Sequence, residues 1–173
     1  MFAEQWLVAP AGSADFNGDL RVNMSDFVHL SRDWHKSNLP LVINEFMAAN
    51  TRTLRDPQGD YDDWIEIRNL GDTDINLGGM YLTDDPTDPA MWRIPTNSPT
   101  LTTVPAGGYL LIWADTHTED VGLHAAFRLD AAGEQIALFD VDGVSIIDGI
   151  DFPEQAPDIS FGRFPDGSDT WRF

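Results

Sequence analysis

The chain contains no cysteine. Disulfide staples, thiolate metal sites and thiol nucleophiles are therefore excluded, while the cellular compartment stays open. Basic residues are scarce as well. There are 10 Lys and Arg, with Lys36 the sole lysine, against 29 acidic residues, for a net charge of −19. Phosphate binding needs clustered cations that release counterions, so a nucleic-acid partner is excluded. An anionic membrane surface would repel such a chain. No apolar run approaches the roughly 18 residues of a spanning helix, so membrane insertion is not expected. The opening MFAEQWLVAPAGSA ends in small residues, yet it lacks a basic start and carries Glu4 within its short apolar part. It is not read as a signal peptide; a signal is expected upstream of this sequence.

What is present supports a folded core. Hydrophobic residues make up 42% and aromatics 11% of 173 residues, more than a disordered chain carries and enough for one domain with a small appendage. The acid is strongly biased, with 23 Asp against 6 Glu. Asp favours turns, because its short side chain accepts hydrogen bonds from nearby backbone. Its carboxylate also suits hard cations such as calcium.

Composition changes near residue 39, dividing the chain into residues 1–38 and 39–173 with a linker at 35–40. The first part reads as helix, acidic loop, helix. The second falls into short apolar runs separated by Gly, Pro, Asn and Asp. Candidate strands are Leu41–Met47, Trp64–Asn69, Ile75–Leu82, Met91–Ile94, Tyr109–Ala114, Gln135–Asp140, Val144–Ile150 and Ile159–Arg163. Asp142-Gly143 between two apolar runs predicts a hairpin. Many short strands without a long helical pattern predict a sandwich or barrel. The expected core is Ile43, Phe46, Trp64, Ile65, Ile67, Leu77, Tyr81, Trp92, Leu111, Trp113, Phe127, Ile136, Leu138 and Phe161.

The sharpest chemical pattern is the run Asp15 to Asp26. Counting Asp15 as position one, oxygen side chains fall at Asp15, Asn17, Asp19, Asn23 and Asp26, the spacing of an EF-hand-type loop. Calcium takes about six to eight oxygens, and a tightly wound loop turns alternate side chains inward. Arg21 would give its backbone carbonyl, and Asp26 would close the shell from the first turn of the next helix. In that helix, Phe27, Leu30 and Trp34 share one face. Phe2-Ala3-Glu4-Gln5-Trp6 also faintly repeats Leu30-Ser31-Arg32-Asp33-Trp34.

The stretch Asp15–Trp34 resembles the dockerin type I repeat, with its Asp-x-Asn-x-Asp opening and twelfth-position Asp. By that resemblance, Phe2–Leu7 looks like the end of a preceding repeat. The sixth position is usually Gly, which takes the left-handed turn there; here it is Leu20. From Ile43 to Phe173 the chain resembles the lamin tail domain, an immunoglobulin-like β-sandwich. The resemblance is carried by Ile43-Asn44-Glu45-Phe46, Asp63-Trp64-Ile65-Glu66-Ile67, Ile75 through Leu82, Trp92-Arg93-Ile94-Pro95, Val104 through Tyr109, and Gly133 through Leu138. The closing pieces Ser160-Phe161-Gly162-Arg163 and Pro165-Asp166-Gly167 are similar to bacterial members found in exported or surface proteins. Met80 departs from the pattern, where an aromatic is common. Together the resemblances imply a mostly β, immunoglobulin-like sandwich with a small N-terminal helix–calcium loop–helix segment.

Motifs for the common enzyme classes are missing: there is no Gly-x-Ser-x-Gly elbow, no His-Glu-x-x-His helix and no phosphate-cradling Gly-Lys-Ser loop. Glu45 and Glu66 are expected to pair with Arg68, Arg93 or Arg163, or to face water, in structural roles. Asp56, Asp60, Asp62 and Asp63 form one acidic loop and Asp84, Asp85 and Asp88 another, a second cation site only if the loops meet. His117 and His124 flank Asp120, a weak metal candidate. The resemblances imply a non-catalytic, calcium-binding interaction and scaffolding module of an exported or cell-surface bacterial protein. Its partner would be a cohesin-like or neighbouring domain. One alternative is a carbohydrate-binding module that presents Trp92, Trp113 or Trp171 in a row to a polysaccharide. Another is a hydrolase, which a converging pair of buried carboxylates in a cleft would mark.

Overall fold

The computed structural model describes Asp26 and residues 37–173. The calcium-loop residues Asp15, Asn17, Asp19, Arg21 and Asn23, and with them most of the N-terminal helix–loop–helix segment, lie outside the described residues. Asp26 is helical and fully buried.

Twelve strands follow. They are β1 (Leu41–Met47), β2 (Asp63–Asn69), β3 (Ile75–Asn76), β4 (Tyr81–Thr83), β5 (Trp92–Arg93), β6 (Thr103–Val104), β7 (Tyr109–Ala114), β8 (His124–Ala125), β9 (Gln135–Phe139), β10 (Ile146–Asp151), β11 (Phe161–Arg163) and β12 (Trp171–Arg172). One sheet runs β12-β11-β1-β2-β7-β8, a second runs β10-β9-β4-β5, and β3 pairs with β6 alone. The pairings are antiparallel except β7 with β8. The inner faces meet in one core that takes Ile43, Phe46, Ile65, Ile67 and Ile112 from the first sheet and Leu82, Trp92, Ile136 and Leu138 from the second. Each such side chain stabilises the fold by about 1.5–3 kcal/mol on burial.

Side chains alternate along a strand, so the two faces can be read by parity. In β9, Ile136 and Leu138 enter the main core, while Ala137 and Phe139 pack outward with Ile146 and Tyr81. In β7, Ile112 and Ala114 point inward, while Trp113 joins Trp64 and Met47 in an outer cluster, with Leu111 packed against it. Parity breaks in β1, where Ile43 and Phe46 both point inward although three residues apart. The register with β2 shifts between Ile43 and Glu45. A β-bulge at Asn44 supplies the extra residue that restores the inward direction. Asn44 uses the bulge to bond Glu66 Oε1 (2.9 Å) and the Gly167 N–H (2.9 Å). Glu66 is thus held by an asparagine rather than by one of the expected arginines, and burial pushes its carboxyl up.

β10 has a second bulge, between Ile146 and Asp148. It turns Asp148 inward, where Oδ2 accepts the Ile43 N–H (2.8 Å) and an Arg163 Nη2 hydrogen bond (2.9 Å). Arg163 Nε donates to the Ile43 carbonyl (2.8 Å), and its guanidinium lies 4.8 Å from the Trp171 ring centroid. Burial raises the Asp148 carboxyl, and Arg163 opposes that rise.

Several expectations need correction. Ile75–Leu82 is not one strand, because Gly79 takes φ 95° and the chain turns between β3 and β4; positive φ suits glycine. β6, β8 and β12, each two residues long, and a single helical turn at Pro99–Thr102 were absent from the expected elements. Tyr81, Leu111 and Phe161 are half-buried rather than central to the core. The Asp142-Gly143 hairpin does form between β9 and β10. Asp142 Oδ1 accepts the Val144 and Ser145 N–H groups (2.9 and 2.8 Å) in its turn.

Replacing Arg163 by Ala leaves Asp148 buried without its partner, and a stranded buried charge costs about 3–5 kcal/mol. Urea unfolding of Arg163→Ala is expected to show a loss of that order. The Asp148→Asn, Arg163→Met double variant should recover much of it, because neither charge is then left alone.

Candidate functional site

The connection from β1 to β2, residues 48–62, is organised from within. Asn50 is buried, and its Nδ2 donates to the carbonyls of Leu54 (2.6 Å) and Asp62 (2.8 Å). Its Oδ1 accepts the Thr53 N–H (3.1 Å) and hydroxyl (2.6 Å). Asp158 anchors the start of the loop by accepting the N–H groups of Thr51 (2.8 Å) and Arg52 (2.9 Å). The Thr51 hydroxyl, which donates to Asp158 Oδ2 (2.7 Å), and then these N–H groups hold the Asp158 carboxyl below its ordinary value.

At the far end of this loop, Asp56 Oδ1 accepts the N–H groups of Gly59 and Asp60, each at 2.7 Å. The Gln58 amide, oriented so that both of its ends are satisfied, donates to Asp56 Oδ2 (2.6 Å) and accepts the Val121 N–H (2.6 Å). Asp56 therefore faces the β7–β8 connection. There Asp115, the residue after β7, and His124, the first residue of β8, point back at it. His124 Nδ1 lies 2.7 Å from Asp115 Oδ2, and Nε2 lies 3.2 Å from the Val121 carbonyl. Asp115 Oδ1 accepts the His117 N–H (2.9 Å), and the His117 ring lies 3.5 Å from Oδ2. Asp56, Asp115 and His124 are 6%, 1% and 2% exposed, and each offers a ligand atom within 4.8 Å of the other two.

Asp62 borders this group. Its Oδ2 is buried with no hydrogen-bond partner among the described residues. Its carboxyl is pushed up by burial first, then by Asp115, Asp56 and Asp60. A second electrostatic neighbourhood adjoins it. Burial raises Asp63 to about 6 and Glu134 to about 7, with Asp84, Asp130 and Asp63 adding repulsion at Glu134.

The structure thus brings Asp56 and His124 together, though not with the neighbours expected. Asp56 meets the β7–β8 segment rather than the loop of Asp84, Asp85 and Asp88. In that second loop Asp85 closes a turn onto the Thr87 N–H (2.9 Å), and Asp84 acts on Glu134 instead. His124 pairs with Asp115, while Asp120 donates its N–H to the His117 carbonyl (2.9 Å). Asp115 was missed because it ends an apolar run and reads as an ordinary turn residue. The signal available was its place directly after a fully apolar strand.

A two-sheet, mostly β sandwich with an immunoglobulin-like core and loops ordered by Asn and Asp side chains defines the class. The lamin tail domain family profile matches residues 35–153. This covers more than half of the chain, so the chain belongs to the lamin tail domain family. β11 and β12 lie beyond the match, yet β11 is hydrogen-bonded to β1 in the same sheet. No curated protein matches the chain in sequence.

Glu134 gives a pH signature with a definite sign. Its folded value near 7 lies above the ordinary 4.5, so the folded state holds the proton more tightly across that window. The stability linked to this proton is present below about 4.5 and is lost as pH rises through about 7. Urea midpoints should fall between pH 5 and pH 8, and Glu134→Gln should reduce that fall.

Proposed function

We propose that this chain is a non-catalytic, calcium-binding interaction and scaffolding module of an exported or cell-surface protein. In this reading Asp15, Asn17, Asp19, Asn23 and Asp26, with the Arg21 carbonyl, hold calcium, and the sandwich is the platform that carries the loop. The observation that carries the calcium reading is the spacing of five oxygen side chains over twelve residues. The helical, buried setting of Asp26 supports a closing carboxylate carried on a helix. Leu20 in the place of the usual glycine points to weak affinity, in the range of extracellular modules, about 10⁻⁴–10⁻³ M. That range suits the calcium concentrations outside cells.

The choice of a protein partner over a glycan is supported by the tryptophans. Trp92 and Trp113 are 7% and 6% exposed, and Trp171 stacks on Phe161 with ring centroids 5.4 Å apart. A row of exposed rings for sugar stacking would need these side chains free. The hydrolase reading requires two carboxylates available to a substrate. Asp56 and Asp115 converge, but they are only 6% and 1% exposed, out of a substrate's reach.

Calorimetric titration of calcium into the chelator-stripped chain tests the proposal, beside an Asp15→Ala, Asp19→Ala double variant. Saturable binding that disappears in the variant is expected. The calcium reading fails if no heat appears at about 5 mM calcium, well above the range of such sites.

A further inference from the structure

The group Asp56, Asp115 and His124 is not part of the calcium loop and asks for its own explanation. Its members come from three separate segments, the β1–β2 loop, the end of β7 and the start of β8, so the fold itself assembles them. Carboxylates and imidazoles are rarely this buried unless paired or bound to metal. The pairing in place is incomplete in charge. Asp56, Asp62 and Asp115 gather on one side of the sandwich, and among the described residues the salt-bridge partners of Asp115 are imidazoles alone, His117 and His124. Arg128, the nearby guanidinium, donates to the Asp115 backbone carbonyl (3.1 Å) rather than to its carboxylate.

An independent observation points the same way. Among the described residues, Asp62 Oδ2 is buried and has no hydrogen-bond partner. The charges that act on this carboxylate most strongly are Asp115, Asp56 and Asp60, all of its own sign. A buried carboxylate oxygen without a donor, set among like charges, is costly. A cation placed among these oxygens removes that cost.

We propose that Asp56, Asp115 and His124, with the Asp62 carboxylate bordering them in support, form a binding site for a divalent transition metal of the zinc class. The metal clamps the 48–62 loop to the ends of β7 and β8. The class follows from the donors. Calcium and magnesium take oxygen ligands, whereas an imidazole nitrogen beside carboxylates suits zinc and its first-row neighbours. On binding, the metal displaces the hydrogen of the His124–Asp115 hydrogen bond, which leaves to solvent. Trp113 stacks on the His124 ring at 6.5 Å between centroids and reports the event.

The test uses the full chain, stripped with chelator and then kept in excess calcium so that the N-terminal loop is occupied. Its outcome is therefore independent of the calcium reading. Zinc is titrated by calorimetry, and cobalt by its visible absorption and by quenching of tryptophan fluorescence. One zinc per chain is expected, with cobalt bands of a nitrogen–oxygen site and quenched fluorescence. Asp62→Asn should weaken zinc by about 10- to 100-fold, the usual range for losing a supporting carboxylate, while the metal-free protein keeps its melting temperature. His124→Gln should abolish binding in a chain that circular dichroism shows to be folded. If His124→Gln does not fold, Asp62→Asn decides the matter alone. The proposal is overturned by an absence of zinc heat at about 100 µM, far above the dissociation constants of protein zinc sites. It is equally overturned if Asp62→Asn binds zinc as tightly as the parent chain, which would place the metal elsewhere.

Discussion

The arrangement of both sheets depends on how one peptide unit is satisfied. At Ile43 the bulge in β1 interrupts the ladder, and backbone groups buried in a core need partners. The N–H finds Asp148 from β10 in the second sheet, and the carbonyl finds Arg163 from β11 in the first. Asp148 and Arg163 then bond each other. A side-chain pair thus does the work of a missing neighbouring strand and ties the two layers at one point. The bulges at Asn44 and Ile147 are the geometric conditions for it, since each re-aims a side chain toward this contact. Trp171 and Phe161 stack beside it, and Phe161, Trp171 and Phe152 surround Phe46. β11 and β12 are therefore integral to the core rather than an addition to the sandwich.

The same economy explains much of the aspartate excess. Asp56, Asp85, Asp130 and Asp142 each accept backbone N–H groups two to four residues ahead. Asn50 and Asn69 hold longer loops by reaching several carbonyls. In a β-sandwich the connections carry the polar backbone that the sheets do not satisfy, and short polar side chains are the local remedy. These aspartates are thus loop architecture. In the group around Asp115 and His124, carboxylates bond their own backbone and also face one another.

The fold was legible in the sequence where alternation was strong. β1 and β7 occur with the expected bounds, and eleven of the fourteen expected core residues are buried; Tyr81, Leu111 and Phe161 are half-buried. The two-residue strands were not legible, because so short a segment carries no period; β8 is defined only by its contact with β7. The bulges were hidden as well, although the three-residue spacing of Ile43 and Phe46 was a trace of one. The His–carboxylate group joins residues 56, 115 and 124, and nothing local to any of them announces the others. The histidine was noticed, but its partner was sought in the nearest acid, Asp120, whereas it pairs with Asp115. Neighbourhood in sequence was a poor guide because the β7–β8 connection folds back on itself, with Thr116 at φ 74°.

The sheet margins have a bearing on how such a domain behaves among many copies of itself. β12, β8 and β5 are two-residue strands, and each forms a border of its sheet. The one long border, β10, reads Ile-Ile-Asp-Gly-Ile-Asp, and its first residue already gives its carbonyl to the Ser37 N–H (3.3 Å). An open strand recruits foreign chains through its row of free backbone groups, and brevity or interspersed charge denies that row the length it needs. Crowded side by side, these sandwiches would repel through their acidic surfaces and offer little for strand-to-strand polymerisation. Solubility at high local density is thus written into the rim of the fold.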